Sequence, residues 1–432
     1  MIDMNLILKK KFQEISEVDD FISKASTETD YFEPSTLSHG IPGIILFLDA
    51  YQKVFDINTE QIVHKYIMKL APYLQSGQYN NSLFGGLSGI AFSMDLASQN
   101  GKNYQNILNN IDGHIVNEIE NKFDQILQEP LNPLNYDTVS GLAGIGRYLL
   151  NRVDENEFNV KALKSILVYF KDIQYSKNSW VVPQESQFLE SDKNYFTEGN
   201  INLGLAHGVL GPMSLFALCV IKGITIENHQ HILKDMYKFI MDEKFCNHER
   251  WLQRYDLISE RNHFNFIRNG WCYGNTGVMT TLFLIGQALQ DDEIIKMSKK
   301  VMLQVVNDKD ENLISPTICH GLSSQILMLT IMNLNFELNE VSDYITVLIN
   351  KLISHYKEVS DYITVLINKL ISHYKEDYLV NFIDINENKQ DVFKSRKVGL
   401  LEGELGVYLT LMTLKNTKIL NEKNWTNAFL IS

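Results

Sequence analysis

Gly86-Leu-Ser-Gly89 and Gly141-Leu-Ala-Gly144 are two copies of one signature: a glycine, a second small residue three later, then an apolar run. The same pattern stands at His39-Gly-Ile-Pro-Gly43, Gly208-Val-Leu-Gly211, Gly274-Asn-Thr-Gly277, Gly321-Leu-Ser-Ser324 and Gly403-Glu-Leu-Gly406. Seven copies therefore begin at Gly40, Gly86, Gly141, Gly208, Gly274, Gly321 and Gly403, with spacings of 46 to 82 residues. Such a period marks a repeat architecture. Each signature runs into a helical apolar pattern, as in Ile44-Ile45-Leu46-Phe47-Leu48 and Val407-Tyr408-Leu409. Between signatures lie amphipathic stretches such as Ile62, Val63, Tyr66, Ile67 and Leu70, spaced for one face of a helix. Two helices per repeat fit these intervals. The expected fold is all-α: an α,α-toroid of seven glycine-marked repeats, with inner helices around an axis and outer helices packed on them. Glycine at the crowded helix starts permits close backbone approach and positive φ. The free N–H groups of those first turns would face one shared mouth.

Two intervals are long and hold strand-like pieces, within 155–200 and 244–268. They read either as loops or as a small strand-containing insertion in an otherwise single domain spanning 1–432. A second repeat is of another kind: residues 341–358 recur without change at 359–376. Eighteen residues make about five helical turns, so both copies present one apolar face. A continuous helix of both would run about 54 Å, too long for one layer of a toroid. One copy is expected to dock as an outer helix and the other to protrude or unravel; the duplication is assigned no function.

Composition narrows the classes. The 432 residues are 45% hydrophobic and carry a net charge of −13, from 39 Lys+Arg against 52 Asp+Glu. No basic block stands out, which disfavours a nucleic-acid partner. The first twenty residues mix Lys9-Lys10-Lys11 with Glu14, Glu17, Asp19 and Asp20 and lack the apolar core of a signal peptide. The run from Val209 to Ile221 is broken by Gly211 and Pro212 and is too short to span a bilayer. A cytosolic location follows as an expectation, with Cys219, Cys246, Cys272 and Cys319 as reduced thiols.

Cys272 and Cys319 each stand two residues before a signature glycine, and His320 stands one before. Equivalent registers of stacked repeats lie close in space, so two thiols and an imidazole should converge. Zinc favours such ligands, and three of them leave a fourth position for chemistry. Cys219, inside Leu215-Phe-Ala-Leu-Cys-Val220, reads as a core residue; Cys246-Asn-His248 is a rival pair that nothing brings to the mouth. His207 precedes Gly208 by one and Asp137 precedes Gly141 by four, which suggests an acid/base pair facing the metal. Asp137 reads equally as a helix-capping residue. His39 shares the register of His207 and is read as structural. Arg268 brings charge to the mouth or pairs with a surface acid.

Trp271-Cys-Tyr-Gly274, Cys319-His-Gly321 and Ala206-His-Gly208, spread over seven glycine repeats, resemble the lanthionine synthetase C-like (lantibiotic cyclase) family over essentially the whole chain. The resemblance implies an α,α-toroid with a small inserted domain. It implies a zinc enzyme, one Zn2+ per chain, that adds Cys thiols to dehydroalanine or dehydrobutyrine in a dehydrated precursor peptide, closing thioether rings. By position, Cys272, Cys319 and His320 correspond to the zinc ligands; Asp137, His207, Arg268 and Tyr273 match active-site positions. Expected partners are the precursor peptide and the dehydratase and ABC transporter of a biosynthetic complex, which would hold the chain at the inner face of the membrane.

The chemistry agrees with the residues. A free thiol with pKa about 8.5 is mostly protonated at neutral pH, and a thiolate-rich zinc site favours a nucleophilic sulfur. Three other readings compete. A non-catalytic zinc-containing peptide scaffold would tolerate loss of His207. A glycosidase needs two facing carboxylates, and only Asp137 stands at a signature. A prenyltransferase subunit needs a basic diphosphate pocket that this acidic chain does not advertise.

Overall fold

The computed structural model describes residues 4–262, 269–308, 313, 315–336, 379–387, 392–421 and 423–432. Within them, seven inner helices follow the seven signatures: Ile41–Phe55, Leu87–Leu96, Leu142–Asn151, Leu210–Ile221, Asn275–Leu289, Leu322–Asn335 and Glu404–Lys415. Each packs on the next, and Glu404–Lys415 packs on Ile41–Phe55, so the ring closes. The fold is the all-α toroid. All ten residues of Leu87–Leu96 and of Leu142–Asn151 are buried. A helix buried on every side belongs between two layers, and these carry Asp95, Arg147 and Asn151 into the interior with their apolar residues. The outer helices bury one stripe; Glu157–Gln174 turns Leu163, Ile166, Leu167 and Phe170 inward and Lys161, Lys164 and Lys171 outward. The helix Met4–Ser16 lies outside the seam, against both the last inner helix and the first.

The glycines act by proximity more than by dihedral freedom. A Cβ on Gly144 would lie 2.0 Å from the Thr138 carbonyl and 2.9 Å from Cβ of Leu83 in the preceding repeat. The second glycine of other signatures likewise abuts the preceding repeat: Gly89 on Leu37, Gly211 on Thr138, Gly277 on Leu205 and Gly406 on Ile318. Of the first glycines only Gly274 has positive φ, at 101°; Gly40, Gly86, Gly141, Gly321 and Gly403 are extended. The expectation of positive φ at these turns thus holds at one of them.

A belt of backbone hydrogen bonds joins the signatures. The amide of Ser38 donates to the Phe84 carbonyl (3.0 Å), Phe84 to Val139 (3.2 Å), Thr138 to Ala206 (3.0 Å) and Leu205 to Cys272 (3.1 Å). Cys272 then donates to Cys319 (3.0 Å), Cys319 to Leu401 (2.9 Å) and Leu401 back to Ser38 (3.3 Å). The belt runs through the residues around two positions before each glycine, so that register is locked around the whole mouth.

The two long intervals meet. Val181–Val182, Asn200–Asn202 and Arg254–Asp256 form one three-stranded antiparallel sheet, with Ile201 opposite both Val181 and Tyr255. Asn200–Asn202 runs directly into the loop that bears His207. Further hairpins pair Cys246–Asn247 with Arg250–Trp251 and Asp384–Glu387 with Val392–Ser395. No helix among the described residues is long and apolar enough to cross a membrane. The duplicated segment, 341–376, lies outside the described residues.

Candidate metal centre and acid/base pair

The belt places Cys272 and Cys319 on adjacent repeats. The Cys272 side chain hydrogen-bonded to it, together with burial, pushes the Cys319 thiol well above its ordinary value. His320 is 7% exposed. Its Nε2 meets Oδ1 of the fully buried Asp384 at 3.1 Å, so Nδ1 is the ring nitrogen left to bind a metal. Burial works against a charged ring, but the hydrogen bond and charge of Asp384 outweigh it, and the His320 pKa is raised. A carboxylate behind an imidazole is the usual outer partner of a metal-ligating histidine. One sulfur of Cys319, one ring nitrogen of His320 and one carboxylate oxygen of Glu402 lie within 4.8 Å of one another. Cys272 adjoins this group through Cys319. Two thiols, an imidazole fixed by a buried carboxylate and a neighbouring acid form a donor set that fits zinc.

His207 lies on the same belt, one inner helix before Cys272. Its Nδ1 donates to Oδ2 of Asp137 at 2.6 Å. Asp137 is fully buried, and its Oδ1 accepts from the amides of Ser140 (2.6 Å) and Gly141 (2.9 Å). Asp137 therefore caps the turn into the third inner helix through one oxygen and holds the His207 ring through the other. With Nδ1 committed, Nε2 of the half-buried His207 ring is the atom free to exchange a proton. The Phe188 ring meets His207 edge-on, centroids 5.4 Å apart.

Tyr273 follows Cys272 and precedes Gly274. Its hydroxyl accepts from Asn202 (3.0 Å) and from Nε and Nη2 of Arg254 (3.2 Å each), so its own proton is available to a further acceptor. Burial raises its pKa. Arg254 is tied to Asp192 at 2.7 Å. Arg268 lies outside the described residues. Cys219 is buried in the core, its thiol pushed up to about 12 by burial. Cys246 sits in the hairpin opposite Trp251, pushed up to about 11 by burial.

Reading by register missed Glu402, Asp384 and Arg254. Glu402 had a usable signal: it stands one residue before Gly403, where His39, His207, Tyr273 and His320 stand before theirs. Asp384 and Arg254 lie in hairpin and insertion strands with no repeat register to mark them.

The comparisons with known proteins bear on the family and the fold. Residues 31–430 match the family model described as lanthionine synthetase C-like protein. The chain is 28% identical over 338 residues to the nisin biosynthesis protein NisC of Lactococcus lactis subsp. lactis, covering 74% of this chain and 78% of that protein. The solved structure of a nisin cyclase superposes with a TM-score of 0.77 at 24% identity, over 98% of this chain and 97% of that one.

Proposed function

The chain belongs to the lanthionine synthetase C-like family, and from that premise we propose that it is a zinc-dependent lantibiotic cyclase. Its substrate would be a precursor peptide already dehydrated at Ser and Thr, and its product a set of lanthionine and methyllanthionine thioether rings. The observation that supports the reading is that one belt of backbone hydrogen bonds joins the turns bearing Cys272, Cys319 and His320 to the neighbouring turns bearing His207 and Asp137.

Cys272, Cys319 and His320 would hold the ion, with Asp384 fixing the His320 ring. When bound, zinc lowers the pKa of an arriving thiol so that sulfur is presented as a thiolate. Attack of sulfur on the β-carbon of a dehydro residue moves charge onto the neighbouring carbonyl as an enolate. The Tyr273 hydroxyl, backed by Arg254, and the Arg268 guanidinium are donors suited to that oxygen. A proton must then reach the α-carbon. Nε2 of His207 is the donor in this reading, and Asp137 fixes the tautomer and stabilises the charged ring. The chemistry requires a dehydrating reaction upstream, so a dehydratase and the exporter of the finished peptide are the expected partners, holding the protein at the inner membrane face.

Cyclisation is an isomerisation and leaves the peptide mass unchanged. The test incubates zinc-loaded protein with dehydrated precursor, alkylates, and counts free thiols by mass. Loss of thiols is expected; an unchanged count would overturn the cyclase reading. Cys272→Ala should lose its zinc, and full retention would remove that residue from the ligand set. His207→Ala separates catalysis from scaffolding, since a binding scaffold would keep its peptide-modifying complex intact without this ring.

A further inference from the structure

Phe188 leaves 46% of its surface exposed, yet its ring lies edge-on to the ring of His207, centroids 5.4 Å apart and planes at 74°. A side chain so exposed is not filling the core. It stands on the link 187–189, between the turn Gln184–Ser186 and the helix Glu190–Tyr195, and that link is pinned. The amide nitrogen of the buried Gln187 side chain donates to the carbonyls of Val182 (2.9 Å) and Pro183 (3.3 Å), and its oxygen accepts from the buried Asn200 side chain at 2.8 Å. A buried polar network whose members are satisfied fixes one arrangement of the chain. Asn200 starts the strand that leads into the loop of His207. In the same strand, Asn202 accepts the Gly204 amide at its side chain and the Val209 amide at its carbonyl, both at 2.9 Å. One strand therefore holds both members of the ring pair in place.

His207 is also fixed at its backbone, where its carbonyl accepts from the Tyr136 hydroxyl at 2.9 Å, and at Nδ1, which meets Asp137. A hydrogen bond at Nδ1 still lets the ring rock about its Cβ–Nδ1 edge, and that motion swings Nε2. We propose that Phe188 is a positioning residue for the proton transfer: its ring stops the rocking, so that Nε2 of His207 addresses one face of the α-carbon. The inference rests on the cyclase reading for the reaction itself. There, sulfur has bonded to the β-carbon, and the electron pair of the opened double bond lies in the enolate. The charged His207 ring gives its Nε2 proton to the α-carbon. The new C–H bond takes the enolate pair, and the imidazole is left neutral against Asp137. When the ring strays, this transfer slows and solvent water protonates the enolate from either face.

Phe188→Ala, Phe188→Tyr and Gln187→Leu test this in the zinc-loaded full chain with dehydrated precursor. Thiol counting over time gives kcat and KM. Hydrolysis of the product and chiral chromatography give the diastereomer ratio of the thioether residues, with the enzyme-free background subtracted. Phe188→Ala should lower kcat about ten- to a hundredfold, the scale for ångström misplacement of a reacting group, while KM moves far less and the share of the minor diastereomer rises several-fold. Phe188→Tyr keeps the ring and should restore both kcat and ratio. Gln187→Leu loosens the link and should move both the same way by less. Thermal unfolding reports whether each variant is folded, and Gln187→Leu keeps the test alive if Phe188→Ala is not. A packing role alone would lower rate and unfolding temperature together and leave the ratio unchanged. If the wild type consumes thiols and Phe188→Ala keeps the wild-type ratio, at whatever rate, this inference fails and the cyclase reading stands. If the wild type consumes no thiols, the cyclase reading fails and the inference falls with it.

Discussion

Asp137 meets His207 through Oδ2 while its Oδ1 caps a turn, and a substitution that keeps the Oδ1 acceptor probes the histidine contact. Asp137→Asn would offer His207 an amide in place of a carboxylate and spoil the tautomer. Turnover should fall about 10²–10⁴-fold, the scale of general acid–base catalysis, while metal content stays at the wild-type level; thiol counting and metal analysis on one preparation check both. Asp384→Asn should do the reverse. It leaves the acid/base pair alone and weakens metal affinity about 10–100-fold, as loss of a carboxylate behind a ligating histidine does, which chelator competition reads. At this scale the sequence was informative wherever candidate residues share a register. Cys272, Cys319, His320 and His207 lie one or two residues before a glycine, and the belt makes that offset a place in space; Tyr273 was named only through the family resemblance. Asp384 was unreadable because a buried carboxylate opposite His320 is set by a hairpin 64 residues away, with no periodic cue. Arg254 was hidden for the same reason: only the pairing of Arg254–Asp256 with Asn200–Asn202 carries its guanidinium to Tyr273.

The unit above the residue is the inner helix with its entering turn. The glycine pattern was legible because it marks a contact between repeats, not a local bend. Gly144→Val should cost at least about 1–3 kcal/mol, the range for overpacking, because its Cβ would meet backbone at Thr138 and a fixed side chain at Leu83. Gly113→Ala, in the outer helix Gln105–Ile126 with nothing within 4 Å of a new Cβ, should stabilise by about 0.5–1 kcal/mol. Urea unfolding midpoints of the two variants give the comparison, and similar shifts would deny the glycines their packing role. The strand pieces in the two long intervals were visible as composition. Their union into one sheet was not, since pairing Asn200 with Asp256 is a long-range choice that no local pattern encodes.

For the whole molecule, the seam between the last repeat and the first decides whether the ring holds. Lys11 is fully buried there, 2.8 Å from Glu404 at the start of the seventh inner helix, and donates to the Leu379 carbonyl at 2.6 Å. Lys11→Met would strand the buried Glu404 carboxylate and should destabilise by about 3–5 kcal/mol, read from the unfolding midpoint. Deleting residues 359–376 should leave folding and thiol consumption at wild-type levels, because the signatures on either side of the duplication already reach one another through Cys319 and Leu401. Ring closure itself was legible only as seven similar repeats; which element covers the seam was not, because Lys11 lies outside every signature. The belt also has a temporal meaning. An open solenoid can gain or lose a terminal repeat and keep the rest, but the bond from Leu401 to Ser38 joins residues 363 apart in the chain. A nascent chain must therefore have nearly emerged before the mouth exists, and contacts so remote in sequence slow folding. Conversely, a ring has no privileged first repeat: a circular permutant opened at another outer loop should rebuild the same belt and bind the same metal.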